Sequence, residues 1–513
     1  MSLLDHWSKS FSLDRLAKRL GAMPMLLVII PIIAGVLLAN NFDTPIWSIC
    51  GGVVIATIGA LYARPMNVAY CFVALLLTLF GSLLTELRQV AVSTPYNKSV
   101  EMQVSLVSPI AEREGYSVAE GCIKRWLGEE GWQEAEDRVQ LWLRTDSLIY
   151  GDRVHILGQL RRRISKYEDY NTLMHNRGYV GGVGISDGEI LGIEHDEVSG
   201  LRRYAIEKLG RYQRDTASHS VVEGMVVGSR HSMPPSLRAS YSATGLSHIL
   251  AVSGLHLGII ALVISLLLTP LKLLTYGHIV ADMLTVAMLW LFVVISGATP
   301  SVVRAALMFS TLILVKNSTG LYNPINALAC AILLMLCYNP QTLYDISFQL
   351  SVLAVMGIVA WGAPVVRSFK VKSPLSSALT STLVIGIVAT LWTMPVVSAT
   401  FGSIPIVGVV ATPVVLITAY MIVGCGVITL ILPDPLSHPF ALCAEWLASV
   451  QNSIVEWFAA LPFANIQYTF SAAEKTIYYA LFAIVTLLIW SRKPKTKRIT
   501  LALSYIEVGE DKR

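Results

Sequence analysis

Charge is spread so unevenly along this chain of 513 residues that two physical environments are needed to hold it. From His231 to Trp490 there are 8 Lys+Arg and 6 Asp+Glu in 260 residues, whereas from Glu86 to Arg230 there are 19 and 22 in 145. Soluble domains carry roughly a quarter charged residues. The first stretch falls far below that and reads as embedded in a bilayer; the second reads as a water-soluble insert. The chain as a whole is 54% hydrophobic and 14% charged, too little charge to cover the surface of a soluble protein of this length. Its formal net charge is +5, but the insert is slightly acidic, which counts against a strongly basic nucleic-acid-binding domain there.

A transmembrane helix needs about 20 apolar residues. Candidate spans are 23–40, 45–63, 68–85, 252–274, 278–296, 299–316, 324–339, 345–362, 376–400, 404–432, 437–461 and 475–490. Pro405 and Pro413 threaten to divide 404–432 into a short piece and a full helix, and Glu445 and Glu456 leave 437–461 open to a surface position. The first apolar run follows Lys9, Arg15, Lys18 and Arg19 and imitates a signal peptide, but it lacks a clear small-residue cleavage pattern and is read as a span. Basic residues favour the cytoplasmic side. Lys9 to Arg19 place the N-terminus there, so the insert after the third span falls outside. Nine further spans then put Lys272, Lys316, the Arg367/Lys370/Lys372 loop and the tail from Arg492 to Arg498 inside.

The insert alternates apolar and polar residues at Val100, Met102, Val104 and Leu106, at Val139, Leu141 and Leu143, and at Val154, Ile156, Gly158 and Leu160. That period of two predicts short strands in a small barrel or sandwich. Of seven cysteines only Cys122 lies in the insert, and no C-x-x-C spacing occurs, so neither a disulfide framework nor a cysteine zinc site is supported.

Four segments carry a more specific signal: GLSHILAVSGLHLG from Gly245, SGATPSVVRAALMFS at 296–310, NPQTLYDISFQLSVLAVMGI at 339–358, and LWTMPVVSATFGSIPIVG at 391–408. In this order they resemble the motifs of the ComEC family of bacterial competence DNA channels. YGDRVHILGQL and YEDYNTLMHNRGYVGG in the insert fit the same family, so the resemblance covers most of the chain. It implies passage of single-stranded DNA across the inner membrane, an insert resembling an oligonucleotide-binding (OB) fold in the periplasm, and both termini in the cytoplasm. It also implies a periplasmic DNA receptor and a cytoplasmic ATP-driven motor or single-strand-binding protein as partners. Many members of that family carry a metallo-β-lactamase-like C-terminal domain; no H-x-H-x-D-H pattern occurs here, so no nuclease role is carried over.

The expected architecture is an α-helical polytopic membrane protein of about 12 transmembrane segments with a β-rich, OB-like periplasmic insert. Its parts are residues 1–85 with three spans, the insert 86–230, the channel domain 231–490 and a basic tail 491–513. The topology brings all four motifs to the outer face, where polar and Gly/Pro-rich backbone suits a solvated mouth. Candidate path residues are His248, Ser253, Gly254, His256, Arg304, Asp345 and Gln349. Ser253-Gly254 marks either a broken helix at the pore or a packing glycine. His248 and His256, eight apart, would lie roughly 80° apart on a straight helix, a poor metal pair. Arg304 inside a span must face protein or water; it is either a phosphate contact or the partner of Asp345. Gln349 shares a helical face with Asp345. In the insert, Arg161, Arg162, Arg163, Lys166, Tyr167 and Tyr170 interleave charge with aromatics, a pattern for backbone contact and base stacking or simply a solvated strand end. No cofactor or metal is expected, and no P-loop supplies a motor. A membrane hydrolase using His248, His256 and Asp345, or a small-solute transporter, is the alternative; against the first stands the lack of H-E-x-x-H or a nucleophile elbow, against the second the lack of an internal repeat.

Overall fold

The computed structural model describes residues 21, 23–42, 45–62, 66–88, 94–107, 110–113, 115–145, 148, 151–164, 171, 174, 178–194, 197–229, 233–250, 252–317, 323–369, 373–462 and 464–491. They divide into two units, residues 25–470 and a second unit whose principal described element is the helix Ala472–Ser491.

Three apolar helices open the larger unit: α1 (Pro24–Asn41), α2 (Ile46–Tyr62) and α3 (Met66–Arg88). Helices α1 and α3 cross where both present glycine. A Cβ on Gly35 or Gly81 would collide with the backbone carbonyl of Thr78 or Ile32, and Ser82 Oγ donates to Gly35 O at 3.0 Å. Small residues let membrane helices approach this closely, and a hydroxyl then bonds the exposed carbonyl. Ile29 of α1 packs on Leu328, Ile332 and Phe348 further along the chain.

The strands follow: β1 (Ser99–Leu106), β2 (Ala111–Arg113), β3 (Tyr116–Gly128), β4 (Gly131–Arg144), β5 (Arg153–Gln159), β6 (Gly181–Ser186) and β7 (Ile190–Glu194). Hydrogen bonding runs β6-β4-β3-β1-β5-β7, antiparallel except that β4 and β6 are parallel. Just beyond β5, Arg161 exchanges both backbone hydrogen bonds with Gly182 of β6, so the sheet closes on itself. The predicted alternation is what fills it. Met102, Val104, Leu106, Val139, Leu141, Leu143, Val154, Ile156 and Leu160 are all buried in one cluster. Closure needs close approaches: a Cβ on Gly182 would meet the Trp142 ring at 2.3 Å.

The strands occupy 99–194 of the expected 86–230 insert, and two helices follow within it. Helices α4 (Glu197–Gly210) and α5 (Thr216–Val226) join the apolar cluster of the helical bundle through Ala205, Leu209, Val221, Val222, Met225 and Val226. Density of charge hid this. Helix α4 buries Arg202 and Lys208 beside Ala205 and Leu209, while Glu207 stays exposed, so part of its charge lies inside the bundle.

The bundle continues with α6 (Pro235–Ala243), α7 (Ser247–Leu250), α8 (Gly254–Leu267), α9 (Gly277–Ile295), α10 (Pro300–Asn317), α11 (Pro324–Tyr338), α12 (Ile346–Gly357, running on through a π turn to Ser368), α13 (Pro374–Phe401), α14 (Gly408–Ile431) and α15 (Asp434–Ala459). Each candidate span overlaps a helix, although 404–432 is helical only from Gly408 and 252–274 is α-helical only over Gly254–Leu267. Among the described residues six helices are long and apolar enough to cross a membrane: those over 68–87, 277–295, 346–366, 380–401, 408–431 and 472–489. Helices over 24–40, 46–62, 256–267, 300–315 and 324–338 are apolar but shorter.

The chain breaks near Pro405, where β8 (Ser403–Pro405) pairs with β9 (Asn465–Gln467), and then runs as one helix through Pro413. Helix α15 does not lie loosely on the surface. Its polar residues Glu445, Gln451 and Asn452 are buried, against α5, α6 and α14: Gln451 Oε1 accepts from Thr418 Oγ1 at 2.8 Å, its Nε2 donates to Tyr241 Oη at 2.9 Å, and Tyr241 Oη donates to Asn452 at 3.0 Å.

Candidate functional site

The four motifs touch one another in a closed circuit. The first meets the fourth at Gly245, whose φ of +73° and contact with Pro405 exclude a side chain. The first meets the second where Gly254 of α8 faces Ala305 of α10; a Cβ there would sit 3.2 Å from that of Ala305. The second meets the third through electrostatic attraction between Arg304 and Asp345 and the packing of α10 on α12. The third meets the fourth where Gly357 lies against Trp392, whose ring stacks edge-on to Trp361 at 5.6 Å. Contacts spread over 160 residues of sequence thus converge on one region.

The helix does break at the predicted place. Helices α7 and α8 are separated at Val252–Ser253, and Ser253 is extended (φ −120°, ψ 170°) as the N-cap of α8. His256 reaches back to it. Ser253 N–H donates to His256 Nδ1 at 3.1 Å, and Ser253 Oγ lies 2.7 Å from the same nitrogen. A backbone amide can only donate, so Nδ1 is the acceptor and the neutral ring carries its proton on Nε2. That Nε2 is buried without a hydrogen-bond partner. The chain breaks at Ser253, and Gly254 beside it packs against Ala305. His248 bonds Gly245 O at 2.8 Å and interacts electrostatically with His256. The straight-helix angle between the two histidines does not apply, because the chain is not helical between them.

Arg304 is 2% exposed, as a charge inside an apolar helix requires. Its Nη2 bonds its own first turn, Ser301 Oγ at 3.3 Å and Ser301 O at 3.5 Å, while buried Nη1 has no partner among the described residues. Thr299 Oγ1 next to it is likewise unpartnered. The loop before it is tightly wound: Gly297 and Ala298 are both left-handed, at φ +86° and +47°. A non-glycine residue there is strained and is held by Ala298 N–H donating to Val293 O at 2.8 Å.

Asp345 caps α12, accepting from Phe348 N–H at 2.9 Å, and Gln349 Nε2 closes the same turn onto Leu343 O at 2.9 Å. Asp345 also faces the sheet domain, through electrostatic attraction to Arg138 of β4. Burial alone would lower the Arg138 guanidinium, but Tyr179, Glu120 and Asp345 reverse that and hold it above its ordinary value. Arg138 bonds Glu120 at 2.8 Å and lies over the Tyr179 ring at 4.9 Å, and Gly178 (φ +81°) rests on the Gln341 side chain. Sequence reasoning missed Arg138 and Tyr179. RGYVGG, which holds Tyr179, reads only as part of the family resemblance, and no periodicity marks it as a contact.

Arg161, Arg162 and Arg163 are exposed at the rim where the sheet closes. Lys166, Tyr167 and Tyr170 lie outside the described residues. Among the described residues no group of three His, Cys, Asp or Glu side chains is placed to hold a metal ion.

Ser253→Ala removes one of the two donors on His256 and the N-cap oxygen together, and is expected to cost about 1 kcal/mol. Thermal unfolding in detergent checks this. Ser253→Thr should restore the loss, and equal melting of the alanine variant and wild type would show that the cap carries no stability.

The family model for Competence protein matches residues 225–493, more than half of the chain and all four motifs. This chain belongs to the Competence protein family. Within it, the chain is 26% identical to ComE operon protein 3 of Bacillus subtilis (strain 168) over 192 residues, 37% of this chain and 24% of that protein. It is 28% identical over 210 residues to an uncharacterized protein of Aquifex aeolicus (strain VF5), 36% of this chain and 49% of that one. The chain thus matches about a quarter and about half of the length of these curated relatives. No solved structure matches it.

Proposed function

We propose that this chain is the conduit by which single-stranded DNA crosses the bacterial inner membrane during natural transformation. The observation that carries the reading is the circuit of motifs holding buried donors, His256 Nε2 and Arg304 Nη1, that the protein leaves unpartnered. Unmet buried donors are costly, and a cluster of them suits a passing polyanion, which accepts hydrogen bonds and never donates them from its phosphates. Family membership and similarity to a ComE operon protein support the same reading.

We read the closed sheet as an OB-like periplasmic capture domain: β1, β3 and β4 form a meander, β5 lies beside β1 and β6 runs parallel to β4, which supports that reading, and Arg161 to Arg163 offer phosphate contacts at its rim. Both termini lie in the cytoplasm, and the twelve helical segments cross the membrane. The conduit is passive. A periplasmic receptor delivers the strand, and a cytoplasmic ATP-driven motor or single-strand-binding protein draws it in. Deleting the gene should leave labelled DNA in the periplasm while blocking its cytoplasmic entry. Undiminished entry in a strain without a paralogue would refute the proposal.

A further inference from the structure

We propose that Glu197–Val226 is a re-entrant helical hairpin. It enters the bundle from the sheet side, exposes its turn on the opposite side of the membrane, and returns. This rests on packing and hydrogen bonds, with a charge attraction between Arg138 and Asp345 beside them, and stands apart from the DNA reading.

The sheet side is fixed by Gly178 on Gln341 and by Arg138 near Asp345. Helices α12 and α13 are packed neighbours joined through Gly357 and Trp392, and their antiparallel course puts the 402–408 loop at the same end. From there α14 runs 24 residues, about 36 Å, to its far end. The turn of the hairpin is bound at that far end. Lys208 Nζ donates to Leu430 O at 3.1 Å and Leu432 O at 2.6 Å, satisfying carbonyls that a helix terminus leaves free. Arg211 pairs with Asp434 at 2.6 Å, and Tyr212 Oη bonds Asp434 O at 3.1 Å and Ser437 Oγ at 2.9 Å.

Helix α5 packs on α14 and α15 in the far half of the bundle, His219 Nδ1 meeting Glu445 at 3.2 Å and Val226 resting on Gly426, and beyond it Gly228 brings the chain to Ser296 O and Val252. Ser296 belongs to the α9–α10 loop, at the sheet end of the bundle.

At 14 and 11 residues, or about 21 and 17 Å, neither helix spans a bilayer core of about 30 Å unaided. Such short segments are tolerated where protein wraps them, and α5 is buried from Ser218 to Val226. Lys208, Arg211 and Arg214 join Lys272 on the basic face, in keeping with the positive-inside bias. Because the hairpin enters and leaves on one side, the sidedness of every later helix is unchanged.

Arg211, Gln213, Arg214, Asp215 and Thr216 are exposed, which makes the turn open to a thiol reagent. Gln213→Cys is compared with Glu130→Cys in the β3–β4 turn and Tyr276→Cys in the α8–α9 turn, using a membrane-impermeant maleimide on spheroplasts and on inverted vesicles. Gln213→Cys should label several-fold more strongly from the side that labels Tyr276→Cys, opposite to Glu130→Cys. Labelling from the side of Glu130→Cys, or from neither side, overturns the proposal. Thr216→Cys serves in the same way if the first variant does not reach wild-type membrane abundance.

Discussion

Arg304→Ala, at wild-type abundance in the membrane, is expected to cut entry of labelled DNA into the cytoplasm by about ten- to a hundredfold, the equivalent of the roughly 1.5–3 kcal/mol that one hydrogen bond to a charged group contributes. The reasoning starts from its surroundings. The guanidinium sits 2% exposed on a helix flanked by apolar neighbours, bonds Ser301, and keeps Nη1 without a partner among the described residues. Asp345 attracts it without a direct bridge, so the fork is not consumed by an ion pair. Arg304→Lys keeps the charge but loses the planar fork, and should recover only part of the uptake. Full uptake by Arg304→Ala would assign the arginine to the fold and remove it from the path.

Glu445→Ala should lower stability by about 3 kcal/mol or more, the largest single loss expected in the bundle. One carboxylate accepts from His219 Nδ1 at 3.2 Å and from Arg214 N–H at 3.1 Å, with both side chains of the His–Glu pair under 10% exposed. Its removal leaves the buried His219 imidazole without this partner and takes an acceptor from the amide of Arg214 in the exposed turn. Thermal unfolding in detergent measures the loss. The double variant His219→Leu with Glu445→Leu should melt above Glu445→Ala, because the buried imidazole is then no longer left unmatched. Wild-type melting of the single variant would mean that the pair does not hold the hairpin in place.

Much of this protein was legible in one dimension. Alternation at Met102, Val104 and Leu106 named the inner face of the sheet, since a period of two has one meaning on a pleated strand. Apolar runs named the helices, because length and hydropathy are properties of contiguous sequence. Ser253-Gly254 announced its own break: a serine with a histidine three residues later is a local cap, formed by neighbours. The four motifs announced the family.

What sequence could not supply was adjacency between segments far apart. Glu197–Val226 reads as soluble because its charges are counted without regard to what meets them. Lys208 is tolerable inside the bundle only because two carbonyls from residues 430 and 432 receive it. The same holds for Asp345, whose two arginine neighbours come from a strand more than 200 residues away and a helix about 40 residues away. Hydropathy and periodicity report how each residue prefers to be solvated. Whether a buried charge finds its partner is decided only when the chain has closed around it, and so the hairpin and the motif circuit belong to the tertiary structure alone.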